Sequence, residues 1–413
     1  MKKQDEAKSI SIEEVTIIDG TGNAPFVSNV FIEKARIAKI TNDEMPKQTH
    51  VDKRINGKGM YLLPGMIDCH VHVMINEHNL FKHLQTPFSY NFYAALKHLK
   101  SLLFAGITSA RDAGGADFGV KKALQDGLIE GPNLKISISP LTTTGGHFDA
   151  FLPSSMQSYI LAPPYPGYPD GVCDGEMEVR KKVREVLRAG ADVIKICSTG
   201  GVSGWNDDPN FEEFSMNELK IVVEEAAMRK KRRVMVHAQG TAGIKNAIRA
   251  GVHSIEHGVD LDDEAVELML KNDVFLVPTL LAVNSVIHGD YPKNTIEIAK
   301  RMEETHFKSI EKAHKAGVKI AMGTDSGVMA HGRNLEELKL MCDAGMSAME
   351  AITASTKTAA QCLEIDDLTG TIEEGKMADF ILVQENPVQK IGSLYNDKNL
   401  KVLCKEGMLI KHI

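Results

Sequence analysis

The stretch Gly65-Met66-Ile67-Asp68-Cys69-His70-Val71-His72-Val73 decides the fold. It is a short apolar run that ends on two histidines. Residues i and i+2 of a strand point to the same face, so the two imidazoles stand side by side. A lone His-x-His is weak evidence for a site. It gains weight if the run opens a series, because parallel βα barrels carry their active sites at the C-terminal ends of the strands.

Further apolar runs follow at Ile107 to Asp112, Leu134 to Ser139, Val193 to Cys197, Val234 to Ala238, Ser254 to His257, Val274 to Leu281 and Ile320 to Thr324. Amphipathic helical stretches such as Met177 to Ala189, Ser215 to Lys230 and Ile296 to Ala316 lie between them. This alternation predicts an α/β fold, a (β/α)8 TIM barrel over residues 65–365. No Gly-x-Gly-x-x-Gly follows the first run, which removes the main signal of a nucleotide-binding doubly wound sheet. Phe151 to Asp174 is rich in Pro, Gly and Tyr and too irregular for a βα turn, so a lid, binding loop or contact surface is expected there.

Both ends read differently. Val15 to Ile18, Val27 to Ile32 and Ala35 to Ile40 are short strand patterns separated by turns, and Asp379 to Val383, Leu400 to Cys404 and Met408 to Ile410 repeat them. They predict a small β-sandwich domain built from both termini, residues 1–64 plus 366–413. A chain of 413 residues is also longer than a single core usually supports.

The net charge of -7 argues against a sequence-independent grip on nucleic acid. Met1 to Ile10 is polar and charged, without the apolar core of a secretory signal. No run reaches the length of a membrane span. Cys69, Cys173, Cys197, Cys342, Cys362 and Cys404 form no C-x-x-C pair and read as reduced thiols. The expectation is a cytoplasmic homo-oligomer acting on a small molecule, with neither nucleic acid nor membrane as partner.

Four more residues stand at strand ends. Lys195 interrupts the apolar run Val193-Ile194-Lys195-Ile196-Cys197. A buried ammonium is costly unless paired or neutralised. A neutral amine can add carbon dioxide, and the carbamate is a carboxylate on a long arm, able to bridge two cations. His237 and His257 each end a short strand, and Asp325 follows Gly323-Thr324. At roughly 30 residues per βα unit these fall on strands 4, 5, 6 and 8, with His70 and His72 on strand 1. Singly, each histidine is as well explained by structure; jointly, the six make a metal site. Histidine and carboxylate donors suit zinc, manganese, iron or cobalt.

At these residues the sequence resembles the amidohydrolase superfamily. The matching pieces are Pro64-Gly65-Met66-Ile67-Asp68-Cys69-His70-Val71-His72, Lys195, His237, His257 and Gly323-Thr324-Asp325, with Gly370 to Asp379 leading into the small domain. Within it the chain looks most like the prolidase-like (Xaa-Pro dipeptidase) branch related to imidazolonepropionase. The pointers are Leu141-Thr142-Thr143-Thr144-Gly145-Gly146-His147, Lys195-Ile196-Cys197-Ser198-Thr199-Gly200-Gly201-Val202 and His331-Gly332-Arg333-Asn334.

The resemblance implies hydrolysis of an amide bond in a dipeptide or N-acyl amino acid with a free carboxylate. It implies two divalent metal ions, with zinc the expectation, bridged by carboxylated Lys195. His70, His72 and Asp325 would hold one ion, and His237 and His257 the other. Relatives often place an aromatic hydroxyl two residues after the strand-5 histidine; Gln239 stands there instead. An amide can still donate to an oxyanion, but it does not match a phenol in size or acidity.

In this reading Asp325 is general base and then general acid. His147 and Gln239 hold the carbonyl oxygen, and His331 and Arg333 meet the carboxylate. Asp112 supports the ligands from behind. A cyclic-amide hydrolase, a lactonase or a deaminase would use the same scaffold, and a non-catalytic binding relative would have lost ligands that are all present here.

Overall fold

The computed structural model describes residues 9–43, 51–76, 80–202, 207–229 and 231–412. Met1 to Lys8 of the polar N-terminal stretch, and Lys230 at the end of one expected helix, lie outside the described residues.

Strands from both ends join one eight-stranded sheet. They are β1 (Ser9–Ile17), β2 (Phe26–Glu33), β3 (Arg36–Thr41), β4 (Lys53–Asn56) and β5 (Tyr61–Pro64) from the front, and β13 (Phe380–Val383), β14 (Leu400–Lys405) and β15 (Met408–His412) from the back. The order is β15-β14-β13-β5-β1-β2-β3, with β4 beside β1. Alternation along β1 would fail after Ile12, because two glutamates intervene before Val15. A bulge between Ile12 and Val15, with Glu14 at φ 54°, restores the phase. Ile10, Ile12, Val15 and Ile17 thereby share one apolar core with Phe380, Leu382 and Val402 from the far end.

The middle of the chain forms two parallel sheets. One is β6 (Met66–Val71), β7 (Ile107–Asp112) and β8 (Asn133–Ile136); the other is β9 (Val193–Cys197), β10 (Arg233–Ala238), β11 (Ser254–His257) and β12 (Phe275–Val277). Every residue of β6, β7, β9, β11 and β12 is buried, as expected of parallel strands covered on both faces. Parallel bridges Leu141–Ile196, Leu276–Ile320 and Val71–Ser326 run between the sheets and their flanking segments.

Three expected strands are corrected. The third stops at Ile136, because Ile138 takes φ 66°. The seventh stops at Val277, where Pro278 offers no N–H and Thr279 turns to φ 53°. Ile320 to Thr324 forms no ladder. It does lie between β12 and β6: Ala321 donates to the Leu276 carbonyl at 2.9 Å, Cys69 donates to Met322 at 2.8 Å, and Asp325 donates to His70 at 2.7 Å. The Met322 N–H goes instead to Ala354, which breaks the alternation. Gly323 is needed for this close passage, since a Cβ there would stand 2.3 Å from Val277 and 3.0 Å from His70 Cβ.

Among the described residues no helix is long and apolar enough to cross a membrane. All six cysteines are unpaired, and five are buried.

Candidate metal centre

β6 carries His70 in its buried body and releases His72 just past its end. Asp325 comes from the segment hydrogen-bonded alongside. Its Oδ1 lies 3.4 Å from His70 Nε2 and 3.2 Å from His72 Nε2. Donor atoms of these three residues all lie within 4.8 Å of one another. The rings of His70 and His257 are 5.1 Å apart, and those of His257 and His237 are 4.6 Å apart. Lys195, on β9, is 1% exposed. All six expected ligands line one cavity of about 140 Å³, together with His147 and Gln239.

The rear nitrogen of each imidazole is engaged. Glu256 Oε2 sits 2.8 Å from His70 Nδ1, the Gly114 carbonyl 2.9 Å from His72 Nδ1, the Gly200 carbonyl 3.0 Å from His237 Nε2, and the Thr279 hydroxyl 2.7 Å from His257 Nδ1. Carbonyl and carboxylate oxygens only accept, so those nitrogens of His70, His72 and His237 carry a proton, and in the neutral rings of His70 and His237 the opposite nitrogens keep a lone pair. Burial holds His70, His237 and His257 well below the ordinary imidazole pKa, which keeps them neutral. The lone pair of His70 therefore faces a carboxylate oxygen. That arrangement of acceptors is unfavourable alone and suits a cation between them. Burial lowers the Lys195 ammonium, against the pull of Glu256.

The supporting network contains residues that sequence reasoning missed. Glu256 Oε1 accepts from Arg111 Nη2 at 2.8 Å, and Arg111 Nε donates to the Cys69 carbonyl at 2.7 Å. Burial works against charge on Arg111, and Glu256 keeps it charged. Both stood in plain view as charges inside apolar strands. Asp112 supports from behind, as expected: its carboxylate accepts from the backbone N–H of Val73, Gly114 and Ala116, and the Gly114 carbonyl is the one that holds His72. Burial pushes Asp112 up to about 6. Asp68 joins the first and last segments by accepting from Thr324 Oγ1 at 2.6 Å and Asn334 Nδ2 at 2.7 Å.

His147 stacks on His237 with ring centroids 4.2 Å apart, and its Nδ1 lies 2.7 Å from Asp207 Oδ2. Its backbone N–H donates to Glu213 Oε1 at 2.7 Å. Burial works against charge on His147, but the Asp207 carboxylate, aided by Glu213, outweighs it and raises the pKa. The glycines around it are required by space. A Cβ on Gly201 would lie 2.3 Å from the His147 ring, and one on Gly146 would lie 2.2 Å from Glu213 Oε2. Gln239 also lines the cavity; its backbone N–H donates to Thr199, while its buried side-chain oxygen has no partner among the described residues.

Two expected contacts are not brought to the cavity. Arg333 is exposed and forks onto Glu336, with Nε–Oε1 2.8 Å and Nη2–Oε2 2.6 Å. The carboxylate three residues on is nearer than any substrate, and it takes up the fork. His331 lies on Ser326 Oγ at 3.0 Å and stacks on His98 at 4.5 Å, outside the cavity lining. Asn334 is the member of that motif that reaches the site's framework. The irregular Phe151 to Asp174 segment contributes Ile160 to the cavity wall. Tyr165 and Tyr168 of the segment stack 5.2 Å apart, and Tyr165 meets Phe88 at 5.1 Å.

Residues 61–410 match the Amidohydrolase family. Ochratoxinase of Aspergillus niger is 35% identical over 423 residues, which cover 98% of this chain and 88% of that protein. A Xaa-Pro dipeptidase solved with methionine in its active site superimposes with a TM-score of 0.87 at 32% identity, over 98% of this chain and 100% of that one. A prolidase complexed with N-methylphosphonate-L-proline gives 0.89 at 28% identity, over 98% and 100%. The chain belongs to the amidohydrolase family and is an enzyme of that family.

Proposed function

We propose that this enzyme is a binuclear metal-dependent hydrolase of a C–N amide bond in a dipeptide or N-acyl amino acid. The observation that carries the reading is the convergence of His70, His72 and Asp325 beside Lys195, His237 and His257 in one cavity. Relatives named as ochratoxinase, Xaa-Pro dipeptidase and prolidase support the reaction class. In this reading the two parallel sheets are parts of one (β/α)8 barrel spanning 65–365, closed by the bridged segments at Leu141 and at Ile320 to Ser326. Residues 1–64 and 366–413 make the small β domain, which the core shared by both ends supports. The free cysteines fit a cytoplasmic enzyme.

The donor set fits two divalent cations of the zinc, manganese, iron or cobalt kind, and we take zinc as the expectation. His70, His72 and Asp325 would hold one, His237 and His257 the other, and Lys195 both as its carbamate. A lysine with a lowered pKa supplies the neutral amine that carbamate formation needs. Bound there, the cations would supply an acidified water and polarise the substrate carbonyl.

The chain's own residues do the rest. Asp325 Oδ1 faces both imidazoles, and we assign Oδ2 to take the proton from the attacking water and pass it to the leaving amine. His147, held by Asp207, presents Nε2–H to the carbonyl oxygen. Gln239, in the same cavity, offers its side-chain amide N–H to the same oxygen. Asp325→Asn tests the assignment: hydrolysis of an N-acyl amino acid should fall by a factor of about 10³ or more, with the fold retained by circular dichroism. Wild-type turnover in that variant would refute the proton shuttle.

A further inference from the structure

The cavity has two unlike sides. One carries the imidazoles, Lys195, Asp325 and Gln239. The other is a hairpin of two helices, Leu280–His288 and Lys293–Ala316. Ala282, Val283 and Val286 face it from the first helix, and Thr295, Ala299 and Met302 from the second. The latter are spaced i, i+4, i+7, one helical stripe. Further along the same helix, Ile310 and Ala313 are fully buried in the main core, while Glu304 and Lys308 pair in solvent on another face. The inward stripe thus begins as the wall of an open cavity and ends as core. Among the described residues no Lys, Arg, Asp or Glu lines the cavity apart from Lys195 and Asp325.

The wall is tied to the centre at both ends. Tyr291, between the two helices, donates its hydroxyl to the carbonyl of Val328, three residues past Asp325. At the other end the Thr279 hydroxyl is committed to His257, so it does not cap the helix that begins at Leu280. Glu337 caps that helix instead, accepting from Leu280 N at 2.8 Å and Leu281 N at 2.6 Å. The wall's position is therefore set relative to His257 and to Asp325.

We propose that this hairpin is the specificity wall of the enzyme, built for a bulky, uncharged apolar group next to the scissile bond; this rests on the amide-hydrolase reading above. Apolar surface turned to a wet cavity is relieved by an apolar ligand, whereas a charged side chain placed there loses its water and finds no partner. The substrates are amides of large aliphatic or aromatic amino acids. Amides of lysine or aspartate are rejected.

The test uses the metal-loaded enzyme with N-acetyl-L-phenylalanine, N-acetyl-L-leucine, N-acetyl-L-lysine and N-acetyl-L-aspartate. The expected kcat/KM favours the first two by about 100-fold or more. Val286→Asp should cut the phenylalanine rate by a similar factor and narrow the preference over lysine. Met302→Ala, a truncation at a half-buried position, should shift preference from leucine toward phenylalanine. Equal rates across the panel, or variants that scale all substrates alike, overturn the wall and leave amide hydrolysis standing. If none of the amides is cleaved, the amide reading falls, and binding decides the wall separately. 3-Phenylpropionate should then raise the thermal midpoint where succinate does not, and equal midpoints with both overturn the wall.

Discussion

Glu256 holds His70: its Oε2 lies 2.8 Å from Nδ1 of the imidazole, and both side chains are sealed from solvent. Glu256 is held in turn by Arg111 at 2.8 Å. The pair fixes the His70 tautomer and turns Nε2 toward Asp325. Acceptors behind a ligating histidine typically contribute 10–100-fold to metal affinity or activity. Glu256→Gln should lose about that factor in metal retention after dialysis against a chelator. It also leaves Arg111 with no full countercharge, so a stability loss of about 3–5 kcal/mol is expected from urea unfolding. Unchanged metal affinity would show that His70 needs no such support.

Lys195→Ala removes the one side chain that can reach both groups of histidines as a carbamate. Its metal content should drop below that of the wild type, with partial recovery in added acetate or propionate. Elemental analysis of the variant provides the check. Two retained ions without any added carboxylate would exclude the carbamate bridge.

Glu337 makes stability depend on pH. Burial pushes its carboxyl up to about 8, from an ordinary 4.5, despite the two N–H groups it accepts. The folded chain therefore binds more protons at this site than the unfolded chain between those values. Stability from this group is full below pH 4.5 and declines as pH rises toward about 8, by at most about 1.4 kcal/mol per unit. Glu337→Gln keeps one acceptor and loses the other, so it should be less stable at pH 5. It should also show a flatter decline from pH 5 to 8 in urea midpoints. A slope identical to that of the wild type would mean that Glu337 is already ionised in the folded state.

The six candidate ligands were legible because strand ends concentrate them: apolar runs give the strands, and the residue that breaks each run is the one that faces the cavity. Ile320 to Thr324 carried the right composition for a strand. Composition does not say that the Met322 N–H will bond to Ala354, or that Asp325 will take φ 58°. His257 is likewise at φ 73°, so two candidate ligands sit in a backbone region that side chains rarely occupy, and only three-dimensional context selects it. Arg111 and Glu256 were visible as charges in buried strands, but their pairing joins positions 145 residues apart. Arg333 is turned from the cavity for a local reason, since Glu336 lies one turn away on the same segment and takes its Nε and Nη2 donors.

The central claim is that two cations, held by these six residues, are required for hydrolysis of an amide. It is tested most directly by stripping the enzyme with a chelator, adding zinc stepwise, and following the cleavage of an N-acyl amino acid against bound metal. The account predicts no activity in the stripped enzyme and full activity at two ions per chain. Activity that survives complete metal removal, or that is complete at one ion per chain, would contradict it.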